Sequence, residues 1–283
     1  MKNNLLVVIA LVTLTLVAVG PSEADASPWT KSQGEYYFKL GHTYYSASGH
    51  RTPSGEVIDS DHYSLTTFLY GEVGLWDDLH ARFYLPLGYA RTTYDNDTYG
   101  SYFGFQDSEW SLQYSPLDLG FPTAVRAEVK LPLYGYQFEN PPVPARGDHQ
   151  IDYTLWVSAG GSLHTRDIPL YYSLDMGYRW RTSTTPGSSI DFDDFQFSDA
   201  VVGFAQMGYT LGGRLDMGIN SSAIIPVDRG DFDESFITVG PALFAPVNDR
   251  LALEADAYTM PFVRNTGQGW AVTAGISLRR DTY

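Results

Sequence analysis

The sequence predicts an all-β fold, a single up-and-down antiparallel transmembrane β-barrel of about twelve strands, with short periplasmic turns and longer extracellular loops. Three observations carry that expectation. From Glu35 onward apolar and polar residues alternate with a period of two. The connections between the alternating stretches are in turn short and long. The composition, 15% aromatic and 18% charged with no Cys, favours strands and excludes disulfide frameworks, thiolate metal sites and Cys nucleophiles.

The first segment supplies an address. Lys2 precedes an apolar run from Leu5 to Val19, and Ala24-Asp25-Ala26 has the small-x-small form of a cleavage site. Residues 1–26 are therefore expected to be a cleaved signal peptide, 27–34 a short periplasmic segment and 35–283 the barrel. The run falls short of the ~20 residues of a spanning helix, and no later run is longer. Export of a strand-rich chain points to the outer membrane of a Gram-negative cell.

In order, the strands centre near Leu40, Leu69, Phe83, Trp110, Val129, Leu155, Leu174, Phe204, Ile219, Val239, Ala255 and Ala274. Most are about ten residues long, enough for a tilted strand to cross a bilayer. The fifth shows the pattern best: Val125, Ala127, Val129, Leu131 and Leu133 share one face, and Arg126, Glu128, Lys130, Pro132 and Tyr134 the other. The third sets Leu79, Ala81, Phe83, Leu85 and Leu87 against His80, Arg82, Tyr84, Pro86 and Gly88. The seventh sets Leu170, Tyr172, Leu174 and Met176 against Tyr171, Ser173, Asp175 and Gly177. Around Leu69 and Phe204 apolar residues occupy both parities, which leaves their facing open.

Short turns are expected at 75–78, 115–122, 163–169, 211–214 and 247–250, and longer polar loops at 47–62, 91–103, 135–149, 182–195, 226–234 and 261–267. This alternation puts both chain ends on the short-turn side, which in an outer-membrane barrel is periplasmic. Trp76 in a turn, and Trp180 and Trp270 at strand ends, mark two interfacial girdles. Pro86 and Pro132 each delete a ladder hydrogen bond and are expected near the extracellular rim, where pairing loosens or bulges. In hydrocarbon every backbone N–H and C=O must be paired, so strands span only as a closed barrel. The apolar face then meets acyl chains and the mixed-charge face encloses a lumen.

The search for chemistry mostly excludes. A net charge of −15 argues against a nucleic-acid partner, because phosphate neutralisation needs clustered Lys and Arg. Neither Gly-x-Ser-x-Gly nor His-Glu-x-x-His occurs, and Asp61-His62 is the nearest approach to a hydrolytic pair. Asp95-Asn96-Asp97-Thr98-Tyr99-Gly100 opens like a calcium loop but fails at Tyr99 and Gln106. Asp191, Asp193, Asp194, Asp231, Asp233 and Glu234 read as charge that keeps loops soluble, with a cation bridge to lipopolysaccharide as the rarer alternative. No catalytic residue, metal site or cofactor is expected.

Several local strings resemble one family of Gram-negative outer-membrane barrels, named for the meta-pathway of phenol degradation and described as transporters. They are Gly71-Glu72-Val73-Gly74-Leu75-Trp76-Asp77-Asp78-Leu79, Gly104-Phe105-Gln106-Asp107, Lys130-Leu131-Pro132-Leu133 and Gly147-Asp148-His149-Gln150-Ile151-Asp152. Arg264-Asn265-Thr266 followed by Ala274-Gly275-Ile276 belongs with them. The resemblance implies a barrel near this size that moves small apolar or aromatic compounds, with no catalytic residues to carry over. One departure is Tyr283: such barrels end in an aromatic residue on the last strand's outward parity, and here the outward residues Trp270 to Leu278 are even-numbered.

By parity the candidate lumen-lining residues are Lys39, Arg82, Tyr84, Glu109, Arg126, Glu128, Lys130, Asp152, Trp156, Asp175, Arg179, Asp216, Glu254 and Asp256. Opposite charges so intermixed pair across strands, whereas a charge-selective pore shows rings of one sign. Twelve strands fall between the roughly eight that side chains fill and the sixteen or more that leave a wide channel, so a narrow lumen is expected. The first functional reading is a narrow passive channel for small, apolar or aromatic, molecules. The second is a non-conducting barrel that anchors a cell-envelope machine for surface motility or polysaccharide export, and a remote third is an outer-membrane hydrolase. The expected partners are the lipid bilayer, lipopolysaccharide, an unidentified small solute and periplasmic or envelope-complex proteins.

Overall fold

The computed structural model describes residues 29–280 except 95–96, 101–102, 116–119, 135–146, 148–149, 166–167, 183–196, 213–214 and 229–232. Among these, every regular element is a strand. In chain order they are β1 (Tyr36–Arg51), β2 (Val57–Trp76), β3 (Leu79–Tyr94), β4 (Asp97–Gly100), β5 (Gly104–Phe105), β6 (Asp107–Tyr114) and β7 (Thr123–Pro132). The second half comprises β8 (Asp152–Thr165), β9 (Ile168–Arg181), β10 (Ala200–Leu211), β11 (Leu215–Pro226), β12 (Ser235–Pro246), β13 (Leu251–Arg264) and β14 (Thr266–Arg280).

Each segment pairs antiparallel with its neighbours, and β4, β5 and β6 lie along one stave beside β3, so the segments build twelve staves. The sheet closes where β1 pairs with β14, from Tyr36↔Arg280 to Arg51↔Thr266. Each expected strand centre falls on its own stave. Closure leaves no edge of unpaired N–H and C=O groups, the condition for crossing hydrocarbon with strands. The ladder begins and ends at the short-turn side, as the alternation of connections predicts. The expected signal peptide and Tyr283 lie outside the described residues.

Facing follows the alternation. Leu40, Leu69, Leu155, Ile219 and Leu253 point outward, and Val157 there is 58% exposed. Arg126, Lys130, Asp152, Asp175 and Gln113 are buried. A soluble protein has the opposite polarity, so this cylinder is built for an apolar surrounding and spans a membrane. Aromatic pairs sit toward the long-loop end of the outer surface: Tyr44 with Trp270 at 5.4 Å and Tyr178 edge-on to Trp180 at 5.0 Å. Trp76, at the last position of β2, is exposed at the short-turn end. The two ambiguous strands are also settled. Leu69 is exposed while Phe68 is buried, and Phe204 pairs directly with Asp175 and shares its inner face.

Two expectations are corrected. The loops drawn at 47–62, 91–103 and 261–267 are largely strand: β1 and β2 continue as a protruding hairpin to a turn at 52–56, and only Asn265, at φ 55°, separates β13 from β14. Polar strands beyond the membrane lack the apolar face by which alternation is recognised. Of the Asp95–Gly100 string, Asp97–Gly100 is β4, antiparallel to β3 with Asp97 paired to Tyr94, and 95–96 lie outside the described residues. Pro86 does not sit at the rim. It lies halfway along β3, and the neighbouring stave is broken opposite it: β6 pairs up to Tyr84↔Glu109, β5 resumes at Leu87↔Phe105, and Gln106 N–H donates to the Pro86 carbonyl at 3.1 Å. A residue without an N–H is thus placed where its partner strand bulges. Pro132 does lie at a strand end, opposite Asp107.

Candidate functional site: a charged belt beneath an aromatic cavity

Inward positions of β1–β3, β6–β9 and β13 carry most of the ionisable residues, and their contacts reach past adjacent strands across the interior. Arg126 on β7 meets Glu128 at 3.6 Å and Asp175 on β9 at 3.8 Å, and its guanidinium lies 4.6 Å over the Trp156 ring. Trp156 Nε1 donates to Glu128 at 3.1 Å. Arg179 on β9 reaches Glu109 on β6 and Glu128, each at 3.7 Å. Lys130 lies 2.7 Å from Asp152 and 3.5 Å from Asp107, and Arg181 lies 3.7 Å from Asp152.

The network continues round the barrel. Arg82 donates to Tyr70 at 2.9 Å and to Gln113 at 3.1 Å, and Tyr70 donates to Glu72. Tyr37 packs edge-on against Tyr70 and donates to Glu254, which Lys39 meets at 2.8 Å, with Asp256 at 3.7 Å. The result is a belt of alternating charge running from β13 through β1–β3 to β9. Burial raises the stakes of every such pair, because a charge left without its partner in this setting is costly.

Strands β10–β12 complete the circle differently. Their inner face carries Val202, Phe204 and Gln206, then Asn220 and Ser222, then Thr238 and Ala242, joined by the pairs Phe204↔Ser222, Gln206↔Asn220 and Ser222↔Thr238. Among the described residues, the charge on that face is Asp216 at its foot, which accepts from Thr210. The lumen therefore has an ionic wall and a neutral wall.

Above the belt, toward the long-loop end, a cavity of about 530 Å³ opens between β1–β3, Gln106 and β12–β14. Tyr45, Tyr84, Tyr258, Phe236 and Met260 line it, with hydroxyls from Thr43, Ser64, Thr66 and Thr273 and carboxylates from Asp107 and Glu234. The tip of the Phe68 ring lies against Gly41 below the cavity, with Lys39 Nζ 5.9 Å from its centroid. Only a residue without a Cβ lets a ring lie that close to the wall.

Of the residues picked by parity, the structure joins thirteen in two places. Lys39, Arg82, Glu109, Arg126, Glu128, Lys130, Asp152, Trp156, Asp175, Arg179, Glu254 and Asp256 lie in the belt, and Tyr84 lines the cavity. Asp216 stands apart. Sequence reasoning missed Tyr70 and Glu72, whose strand had no resolved facing; the like parity of Phe68, Tyr70 and Glu72 is the available signal. It also missed Glu234, Phe236 and Met260 in the cavity and read Asp233 as a solvated loop charge. Asp233 is fully buried and accepts from the Ser198 N–H at 2.8 Å. Asp61 and His62 fall on opposite faces of β2 and form no pair, and His62 Nδ1 meets Thr92 Oγ1 at 2.8 Å.

No protein-family model matches the chain and no curated protein matches its sequence. Solved structures do match. An outer-membrane channel from Pseudomonas putida F1 superposes with a TM-score of 0.69 at 13% identity, over 91% of this chain and 100% of that one. The translocator domain of the autotransporter NalP from Neisseria meningitidis gives 0.52 at 10% identity, over 96% and 93%. The CymD monoaromatic hydrocarbon channel gives 0.43 at 10% identity, over 95% and 98%. At such identities the likeness is one of fold, that of an outer-membrane β-barrel.

Proposed function

We propose that this chain is a narrow passive channel of the outer membrane for small solutes, which enter through the aromatic cavity and descend between the ionic belt and the neutral wall of β10–β12. The observation that carries the reading is the asymmetry of the lumen. Ion pairs fix the side chains of one wall in place, while uncharged residues on the facing wall leave a strip where a solute passes without stripping a charge of its partner. The bilayer and lipopolysaccharide surround such a barrel, and apolar or aromatic solutes suit the rings at its entrance.

The test is refolding into bilayers and liposomes. Discrete conductance steps, together with solute-dependent swelling, are expected; a heat-modifiable, folded protein inert in both assays overturns the channel. The anchoring alternative draws on one feature, residues 29–35 folded against the short-turn end, where the Gly34 N–H donates to the Gly74 carbonyl and the Gly74 N–H to the Glu35 carbonyl. Silence from both the intact chain and a form lacking residues 29–35, with capture of a periplasmic partner, would favour it.

A further inference from the structure

We infer that the cavity above the belt is a binding site for small organic cations, an ammonium group carried on an apolar or aromatic body. The inference rests on the channel reading for its physiological meaning but not for its test. Asp107 and Glu234 line the cavity, and among the described residues no Lys, Arg or His does. Three tyrosine rings and Phe236 share that lining. Ring faces attract cations through their quadrupoles, and a nearby carboxylate strengthens the attraction in a partly enclosed space.

The belt below reinforces the sign. Lys39 lies between Glu254 and Asp256, Lys130 between Asp107 and Asp152, Arg126 between Glu128 and Asp175, and Arg179 between Glu109 and Glu128. With Arg82 beside Glu72 and Arg181 beside Asp152, the belt among the described residues sets six cations against eight carboxylates, so the lumen beneath the cavity carries more negative than positive charge. A neutral aromatic would gain the rings alone. A carboxylate-bearing aromatic would meet repulsion from Asp107 and Glu234. An organic cation gains from both the rings and the acidic groups.

The test uses the full refolded chain in detergent, titrated calorimetrically with phenethylammonium, phenethyl alcohol and phenylacetate, each corrected against protein-free micelles. The expected result is binding of the ammonium at least about tenfold tighter than either counterpart, a difference of roughly 1.4 kcal/mol, and loss of that preference in Glu234→Gln and in Tyr258→Leu. Heat-modifiable migration establishes that each variant is folded, and either variant alone suffices for the comparison. Equal affinity for the alcohol, or tighter binding of phenylacetate, overturns the inference. A barrel that binds the ammonium selectively but conducts nothing refutes the channel and leaves the site standing; one that conducts without such binding does the reverse.

Discussion

The backbone N–H of Lys31 donates to Nδ1 of His80 at 2.9 Å, tying the segment before the first strand to an imidazole that is 1% exposed on the inner face of β3. The bond requires the His80 tautomer that carries its proton on Nε2. Ser32 N–H donates to Glu35 at 2.8 Å, and Gly74 N–H donates to the Glu35 carbonyl at 2.9 Å. Residues 29–35 thus form a strap along the inner face of β2 and β3 at the foot of the lumen.

Releasing that strap is expected to widen the lower mouth. A Cβ at Gly74 would collide with the carbonyl of Ser32, so Gly74→Val displaces the strap while the β2 ladder is kept. His80→Ala removes one of the strap's hydrogen bonds, each worth about 1 kcal/mol net, and acts in the same direction more weakly. Single-channel recording checks this: both variants should give larger conductance steps, Gly74→Val the larger. Unchanged steps would show that the strap does not limit flow.

Removing one partner of the belt should destabilise the barrel more than removing both. Asp152 is fully buried and lies near both Lys130 and Arg181. Lys130→Met leaves buried carboxylates without their nearest cation, at a cost of about 3–5 kcal/mol. The double variant Lys130→Met with Asp152→Asn should recover part of that loss. Urea unfolding of the refolded protein in vesicles, followed by tryptophan fluorescence, gives both values and their coupling.

These positions also show what was legible in the sequence. Where one face is uniformly apolar, as in Val125 to Leu133, alternation gave the facing of Arg126, Glu128 and Lys130, because hydrocarbon tolerates no other arrangement. Where both faces carry apolar residues, as around Leu69, it could not, and Glu72 and Tyr70 were missed. The polar hairpin of β1 and β2 beyond the membrane was drawn as loop because water satisfies either conformation, and only pairing such as Ser46↔Tyr63 distinguishes them. Of the cavity, parity gave only the inward facing of rings such as Tyr84, not the enclosure. It depends on the break opposite Pro86 and on which rings approach from β1, β3, β12 and β13, relationships between residues far apart in the chain.

The room above the belt should depend on Gly41. A Cβ there would strike the Phe68 ring, which is the movable partner in that contact. Gly41→Val is expected to swing Phe68 toward the lumen centre, at about 1–3 kcal/mol of overpacking cost, and to reduce conductance. Combining it with Phe68→Ala should restore the current. Recording the single and double variants in the same bilayer separates this steric effect from a general loss of folding, since a misfolded barrel is not rescued by removing a ring.

The outward face offers the sharpest test of the setting itself. Ile219 is 55% exposed within the apolar belt of β11, and Val227 is 53% exposed just beyond that strand's long-loop end. In water the two positions would tolerate Arg equally. Against lipid they differ: a charge near the bilayer midplane costs about 2–4 kcal/mol and one near the interface about 0–1. Ile219→Arg should therefore unfold from vesicles at a clearly lower urea concentration than Val227→Arg, whereas the same pair compared in detergent should lie closer together, because a micelle deforms round a charge more readily than a bilayer does. Equal midpoints in vesicles would mean that the exposed side chains of β11 do not touch acyl chains, and the enclosed ion pairs would then need another explanation than exclusion from hydrocarbon.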